Sequence, residues 1–396
     1  MMSFQARREL LVAIRPRYRK AQRKDKTAML DEFVAATGYD RKYAICLLGQ
    51  RPRSSGEAPP QRGRHKTYGP ATQEALTWLW KFTEGLCGKR LVPLLPDLID
   101  ALQRHRQIIL RPEIRQRLLS LSPATADRLL KKAKATFSYG RTLTKPGTLL
   151  RQQIPIRTFA DWNENRPGFL EIDLVAHCGE TTHGQYAHTL TLTDVCTGWT
   201  ECVAILGRNQ WVVKNAIDQA RSRFPFPVKG LDADNGSEFI NATLAGYCQQ
   251  RRITFTRCRP YKKNDQCHVE QKNWNVVRRW TGYSRYEQWG SVLALNEIYQ
   301  TLSDYQNYFQ PSVRLLSKER HGAKVKKTYD QARTPFRRLM ERDDIKPLIK
   351  DILLANFHQL NPKERQKRLH DGQNKLSRLA VSPQPAPPQK EYQTQK

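Results

Sequence analysis

The sequence predicts a multidomain protein with a basic helical N-terminal region, an α/β core and a basic, largely helical C-terminal region. Three observations predict this. Proline- and glycine-containing stretches without apolar periodicity break the chain at residues 51–70 and 137–168. Helical periodicity dominates before residue 136, and from residue 169 three strand-like runs are followed by alternating helix and strand. At 396 residues the chain has room for two or three domains with a sizeable core.

Residues 1–50 read as helical and basic, and the first 66 residues carry 16 Lys or Arg against 6 acids. Lys26 to Ala36 predicts a helix, Thr37-Gly38-Tyr39 a turn, Asp40 an N-cap, and Arg41 to Leu48 a second helix. The spacing suits a helix-turn-helix, with Arg41 and Lys42 where such motifs reach DNA. A solvated basic hairpin fits the same residues. The linker at 51–70 contains Arg62-Gly63-Arg64, a segment able to enter a narrow minor groove through Arg62 and Arg64, although a solvated linker is the commoner case.

Residues 71–136 form a second helical region, with Leu76, Leu79 and Trp80, then Leu94, Leu98 and Leu102, at helical spacing. Arg111 to Leu121 and Ala124 to Lys134 make a second helix-turn-helix candidate, with Ser122 as cap and Pro123 in the first turn. Arg128 and Lys131 are its expected DNA contacts. After the connector at 137–168 comes the core, 169–290. Phe169 to Ala176, His188 to Val195 and Trp199 to Leu206 predict a meander, and Asn209 to Phe224 predicts a helix. Val228 to Asp232 is a short strand, Ser237 to Arg251 a helix, and Ile253 to Cys258 a further strand. Residues 291–380 read as a basic C-terminal region, with a helix from Leu293 to Phe309, an irregular stretch from Gln310 to Thr334, and a helix capped by Thr334. The Pro- and Gln-rich tail, 381–396, predicts disorder.

The net charge of +31, with 68 Lys plus Arg against 37 Asp plus Glu, calls for a polyanionic partner, nucleic acid or an anionic membrane surface. No long uncharged apolar run and no apolar signal core appear, so neither spanning nor secretion is predicted, and the expected location is cytoplasmic. Eight cysteines without a Cys-x-x-Cys pair read as reduced thiols. Cys258, Cys267 and His268 fit no common zinc-finger spacing, so no structural zinc is expected.

Three acids carry the chemistry. Asp173 lies in Phe169-Leu170-Glu171-Ile172-Asp173-Leu174. Asp234 lies in Leu231-Asp232-Ala233-Asp234-Asn235-Gly236-Ser237-Glu238-Phe239, and Glu270 in the run from Pro260 to Asn273, with Asp265 as helix cap. Sixty residues separate the first two acids and 35 the last two. Three carboxylates brought together can hold two hard divalent cations that clamp the attacking and leaving oxygens of a phosphodiester. Asp232, Glu238 and Asp194 are rival ligands. His177, His183 and His188 share no helical or strand face, and no Gly-x-Ser-x-Gly elbow supports a serine hydrolase. Lys262, Lys263 and Lys272 are the preferred phosphate contacts, with solvated charge as the plain alternative. Trp274, Trp280, Tyr283, Tyr286 and Trp289 are able to stack on bases, or to serve as core.

These motifs, in their order and spacing, resemble the DDE transposases of bacterial insertion sequences, within the retroviral-integrase superfamily, over roughly residues 160–340. The resemblance implies an RNase H-like core in which Asp173 lies on the opening strand, Asp234 after a later strand and Glu270 on a following helix. It implies catalysis and metal binding by Asp173, Asp234 and Glu270 with two Mg²⁺ or Mn²⁺ ions, double-stranded DNA as partner, and a homo-oligomer that pairs two DNA ends in a nucleoid-associated bacterial protein. The expected function is cleavage and strand transfer of a mobile element's ends. A metal-dependent nuclease of the same fold and a transposase-derived DNA-binding regulator are the alternatives. No paired-His, paired-Cys zinc module precedes the core.

Overall fold

The computed structural model describes residues 2–49, 67–135, 156–157, 166–234, 236–258, 267–321 and 324–381. Arg62, Arg64, Lys262, Lys263, Asp265 and the tail beyond Val381 lie outside the described residues, as does most of the connector. The chain forms two compact units, residues 1–67 and 68–396.

In the first unit, α1 (Phe4–Lys20), α2 (Arg23–Thr37) and α3 (Arg41–Gly49) surround a small core of Leu30, Phe33, Ala44 and Leu48. The α2–α3 turn has the expected chemistry. Gly38 takes φ +67° and closes α2 with its N–H on the Val34 carbonyl, and Asp40 Oδ1 accepts the Lys42 N–H at 2.9 Å. Arg41 and Lys42 are exposed at the start of α3, and Arg41 is ion-paired to Asp31.

The second unit opens with α4 (Pro70–Phe82), α5 (Gly88–Arg104), α6 (Pro112–Leu119), α7 (Pro123–Leu129) and α8 (Lys131–Ala135). Ser122 caps α7 as its sequence predicts, accepting from Thr125 N–H at 3.2 Å. The expected continuous helix from Ala124 to Lys134 is interrupted at Leu130, which is buried and ends α7. Arg128 and Lys131 are exposed. This helical region is built into the same compact unit as the sheet. Leu76, Leu79, Trp80 and Leu98 join one hydrophobic core with Leu170, Leu295 and Phe336, and Tyr305 OH donates to the Phe82 carbonyl at 3.2 Å.

The sheet has six strands in the order β1-β6-β5-β2-β3-β4. They are β1 (Ile156–Arg157), β2 (Phe169–Ala176), β3 (Ala187–Asp194), β4 (Thr200–Leu206), β5 (Gly230–Ala233) and β6 (Thr254–Cys258). β2, β3 and β4 form an antiparallel meander, whereas β5 adds parallel to β2 and β6 parallel to β5. The parallel additions require crossovers, supplied by α9 (Gln210–Arg221) and α10 (Ala242–Gln250). This meander with alternating helix and strand is the arrangement the sequence predicts. One helix is shorter than expected: α10 begins at Ala242, because Asn241 caps it by accepting from Leu244 N–H at 2.9 Å, and Ser237 to Phe239 form a turn instead.

α11 (Cys267–Lys272) passes through a π-helical turn (Asn273–Arg278) into α12 (Arg279–Thr281), and α13 (Trp289–Phe309) packs against β4. The stretch from Gln310 to Thr334 corrects the expectation of irregular chain. It holds an antiparallel hairpin, β7 (Leu315–His321) and β8 (Lys324–Tyr329), whose alternating charges hid its strand period. α14 (Pro335–Met340), α15 (Pro347–Gln359) and α16 (Pro362–Ser377) complete the chain, with Thr334 capping α14 as expected. No helix among the described residues is long and apolar enough to cross a membrane.

Candidate active site

β2 is paired on both edges, and its alternation decides which side chains meet. Leu170 and Ile172 enter the apolar core, while Glu171 and Asp173 project from the other face. In the parallel β2–β5 pair Glu171 stands opposite Asp232 and Ile172 opposite Ala233. The next residue along each strand is Asp173 and Asp234. The register therefore sets these two carboxylates side by side at the carboxyl ends of two parallel strands, where α/β sheets commonly open toward ligands.

Their electrostatics reflect this. Burial first, then the charge of Asp234, pushes the Asp173 carboxyl up to about 7, and Glu270 adds to the rise. Asp234 is also raised, by burial and then by Glu238. Asp173 is held at both oxygens: Oδ1 accepts the Leu174 N–H at 2.8 Å, and Oδ2 accepts from Asn273 Nδ2 at 2.5 Å. Asn273 begins the π turn, which adds a residue to the helical ladder and rotates the residues beyond it, a deviation frequent at functional sites. Glu270 is exposed on α11, three residues before Asn273.

A second carboxylate fixes that helix. Glu171 is fully buried, and its Oε2 accepts the Val269 N–H at 2.8 Å, one residue before Glu270. Burial holds the Glu171 carboxyl well above its usual range, with the charges of Asp232 and Glu270 adding. The importance of Glu171 escaped the sequence reading, as did the bond from Asn273 to Asp173. The signal for Glu171 was its position two residues before Asp173, on the same face of a predicted strand.

The rival acids have structural duties. Asp232 is buried and accepts from Thr256 Oγ1 at 2.6 Å. Asp194 accepts from Gly168 N–H and from both Thr197 donors, closing the β3–β4 turn. Glu238 does not open a helix; it pairs with Arg208 at 3.5 Å and lies near Asp234. At Gly236 a Cβ would lie 2.9 Å from Asp234 Oδ1 and 2.8 Å from Glu238 Cδ, so a side chain there would displace these carboxylates. His177 is buried, with Nε2 bonded to Thr189 Oγ1 at 2.7 Å, and His188 stacks on Tyr186. Trp280 and Tyr286 belong to the core, whereas Trp274 and Trp289 are exposed.

Lys272 departs from expectation. It is 9 % exposed, turned into the protein rather than toward the acids, and burial, with Arg90 nearby, pushes its ammonium down to about 8. A lysine two residues after Glu270 lies on the opposite side of the helix, so it offers no phosphate contact at the acids.

Among the described residues, no three His, Cys, Asp or Glu side chains form a ready-made metal cage. The donor chemistry nonetheless fits a hard cation. Mg²⁺ is usually bound through one or two carboxylates and keeps several waters. The adjacent Asp173 and Asp234, one of them driven up to about 7 by burial and repulsion, supply such oxygens.

The chain is similar to known proteins over different parts of its length. The family described as "Integrase core domain" matches residues 164–263. The uncharacterized protein y4rM of Sinorhizobium fredii (strain NBRC 101917 / NGR234) is 45% identical over 338 residues, 85% of this chain and 96% of that relative. Among solved structures, the HTLV-2 integrase catalytic core domain, a dimeric form in complex with magnesium, is 14% identical at a TM-score of 0.28, covering 37% of this chain and 90% of that one. The catalytic core domain of BIV integrase is 20% identical at a TM-score of 0.29, covering 43% of this chain and 91% of that one.

Proposed function

Because the chain belongs to the integrase/transposase superfamily, we propose that it is a transposase that cuts the ends of a mobile DNA element and joins them to target DNA. The observation that carries this reading is the β2–β5 register, which sets Asp173 beside Asp234, with Glu270 close enough on α11 for its charge to act on Asp173. Asp173 and Asp234 would hold Mg²⁺ or Mn²⁺ most directly, with Glu270 completing the site and allowing a second ion. Bound there, the ions would activate the attacking oxygen and stabilise the leaving one.

The chain's own residues set the geometry for this. Asn273 and the Leu174 N–H orient the two oxygens of Asp173. Glu171 anchors the start of α11, so Glu270 projects from a helix tied to the strand that carries Asp173. Burial and the neighbouring acids push the Asp173 carboxyl up to about 7, and a cation held there would favour its ionised form. Arg41, Lys42, Arg128 and Lys131 are proposed DNA contacts on exposed helical surfaces, and Lys262 and Lys263 are proposed phosphate contacts from sequence. Pairing of two DNA ends calls for a homo-oligomer.

The test uses duplexes that carry the inverted repeats flanking the gene. Cleavage at the ends, followed by joining of a pre-cleaved end to a target, is the expected result. Cleavage without joining would favour the nuclease, and end binding with neither step would favour a regulator.

A further inference from the structure

Behind α11, on the side away from Glu270, lies a cavity of about 120 Å³ whose lining includes Arg90, Lys272, Arg279, Gln310 and Ser312, with Glu84 as the single acid. Glu84 is already engaged by Arg279 at 3.7 Å and His370 at 3.4 Å, and it accepts from Gln366 at 2.9 Å. Arg90 also lines the cavity and directs Nε to the Pro311 carbonyl at 2.5 Å. Lys272 is buried and makes no hydrogen bond or ion pair with any described residue. The amide nitrogen of Gln310, near the Tyr305 hydroxyl, is a second buried donor without a hydrogen-bond partner of good geometry. An unpaired buried ammonium is among the costliest arrangements in a protein interior, and an unpaired amide N–H adds to it.

We propose that this cavity is a binding site for a phosphate group. Its unsatisfied groups are donors, and a tetrahedral oxyanion carries several strong acceptors to meet them. The cavity has room for a phosphate group. The phosphate comes either from free orthophosphate or from a DNA backbone reaching the cavity mouth. The site does not depend on the proposed chemistry, because none of its residues is among the acids of the candidate active site.

The test uses the full chain carrying Asp173→Asn, so that no catalysis intervenes, in phosphate-free buffer of constant ionic strength. Orthophosphate should raise the melting temperature beyond a matched chloride control. Lys272→Met and Gln310→Leu should each weaken the apparent phosphate affinity roughly tenfold or more, as expected for loss of a charged or buried hydrogen bond. Lys272→Gln provides a second variant at the same position, and its melting curve reports folding directly. A duplex without terminal phosphates then identifies the source. If orthophosphate competes with the duplex and Lys272→Met weakens duplex binding, the group is a DNA phosphate; if Lys272 matters for orthophosphate alone, it is the free ion. The proposal is overturned if Lys272→Met and Gln310→Leu keep the full phosphate-dependent shift, or if neither orthophosphate nor duplex stabilises the parent protein over chloride.

Discussion

Glu171 Oε2 accepts the backbone N–H of Val269 at 2.8 Å, joining the strand that carries Asp173 to the helix that carries Glu270. The bond spans 98 residues of sequence and links the two halves of the candidate site through one buried carboxylate. Glu171→Ala leaves the start of α11 without its acceptor and should cost about 1–3 kcal/mol of stability. Glu171→Gln keeps a carbonyl oxygen for Val269 and should recover most of the DNA cleavage lost in Glu171→Ala. Denaturant melts and cleavage rates of the two variants check this. Equal activity loss in both would assign Glu171 a role other than positioning.

Asp173→Asn should remove metal response without harming the fold. In chelator, the variant should be more stable than the parent above pH 7. The raised Asp173 carboxyl contributes stability that is present below its ordinary value of 3.8 and lost as pH rises through about 7. Mg²⁺ should raise the melting temperature of the parent and leave Asp173→Asn nearly unchanged. Differential scanning calorimetry of both proteins at two pH values, with and without Mg²⁺, makes both comparisons.

Much of this arrangement was legible in the sequence, and the parts that were not have physical reasons. The meander and the positions of Asp173 and Asp234 are set by period-two alternation and by motif order. Glu171 was hidden because a carboxylate on a strand reads as solvated unless a distant N–H is known to meet it. Lys272 was misplaced because charge alone does not tell which face of a short helix packs inward. The β7–β8 hairpin was missed because its strands carry Lys318, Glu319, Lys326 and Lys327 in place of an apolar alternation. The region from α4 to α8 was expected as a separate DNA-binding region, but its apolar faces complete the core around the sheet.

A second pH effect is independent of the acids of the site. Glu201 is buried, bonded to Trp199 Nε1 and Ser303 Oγ, and burial pushes its carboxyl up to about 7. Its stabilising contribution is complete below its ordinary 4.5 and is lost as pH rises through about 7. Glu201→Gln should flatten the stability profile between these values and exceed the parent by up to about 3 kcal/mol above pH 8. An unchanged slope in equilibrium unfolding would show that Glu201 is charged throughout.

Recognition should separate from chemistry. Arg41→Ala and Lys42→Ala in the first unit, and Arg128→Ala and Lys131→Ala on α7 and α8, should reduce the preference for element ends over random DNA. Each true base contact is worth about 1–3 kcal/mol. Lys262→Ala and Lys263→Ala should instead weaken binding to any sequence and flatten its salt dependence. Competition binding at several salt concentrations distinguishes the two patterns.

The most direct test of the central claim is strand transfer by the full chain, with a pre-cleaved element end bearing a free 3′-hydroxyl and a plasmid target in Mg²⁺. Covalent joining should occur with the parent protein, stop when the metal is chelated, and fall close to background in Asp173→Asn, Asp234→Asn and Glu270→Gln while end binding persists. Joining that continues in chelator, or in an Asp173→Asn, Asp234→Asn double variant, would contradict a metal-dependent site built from these acids.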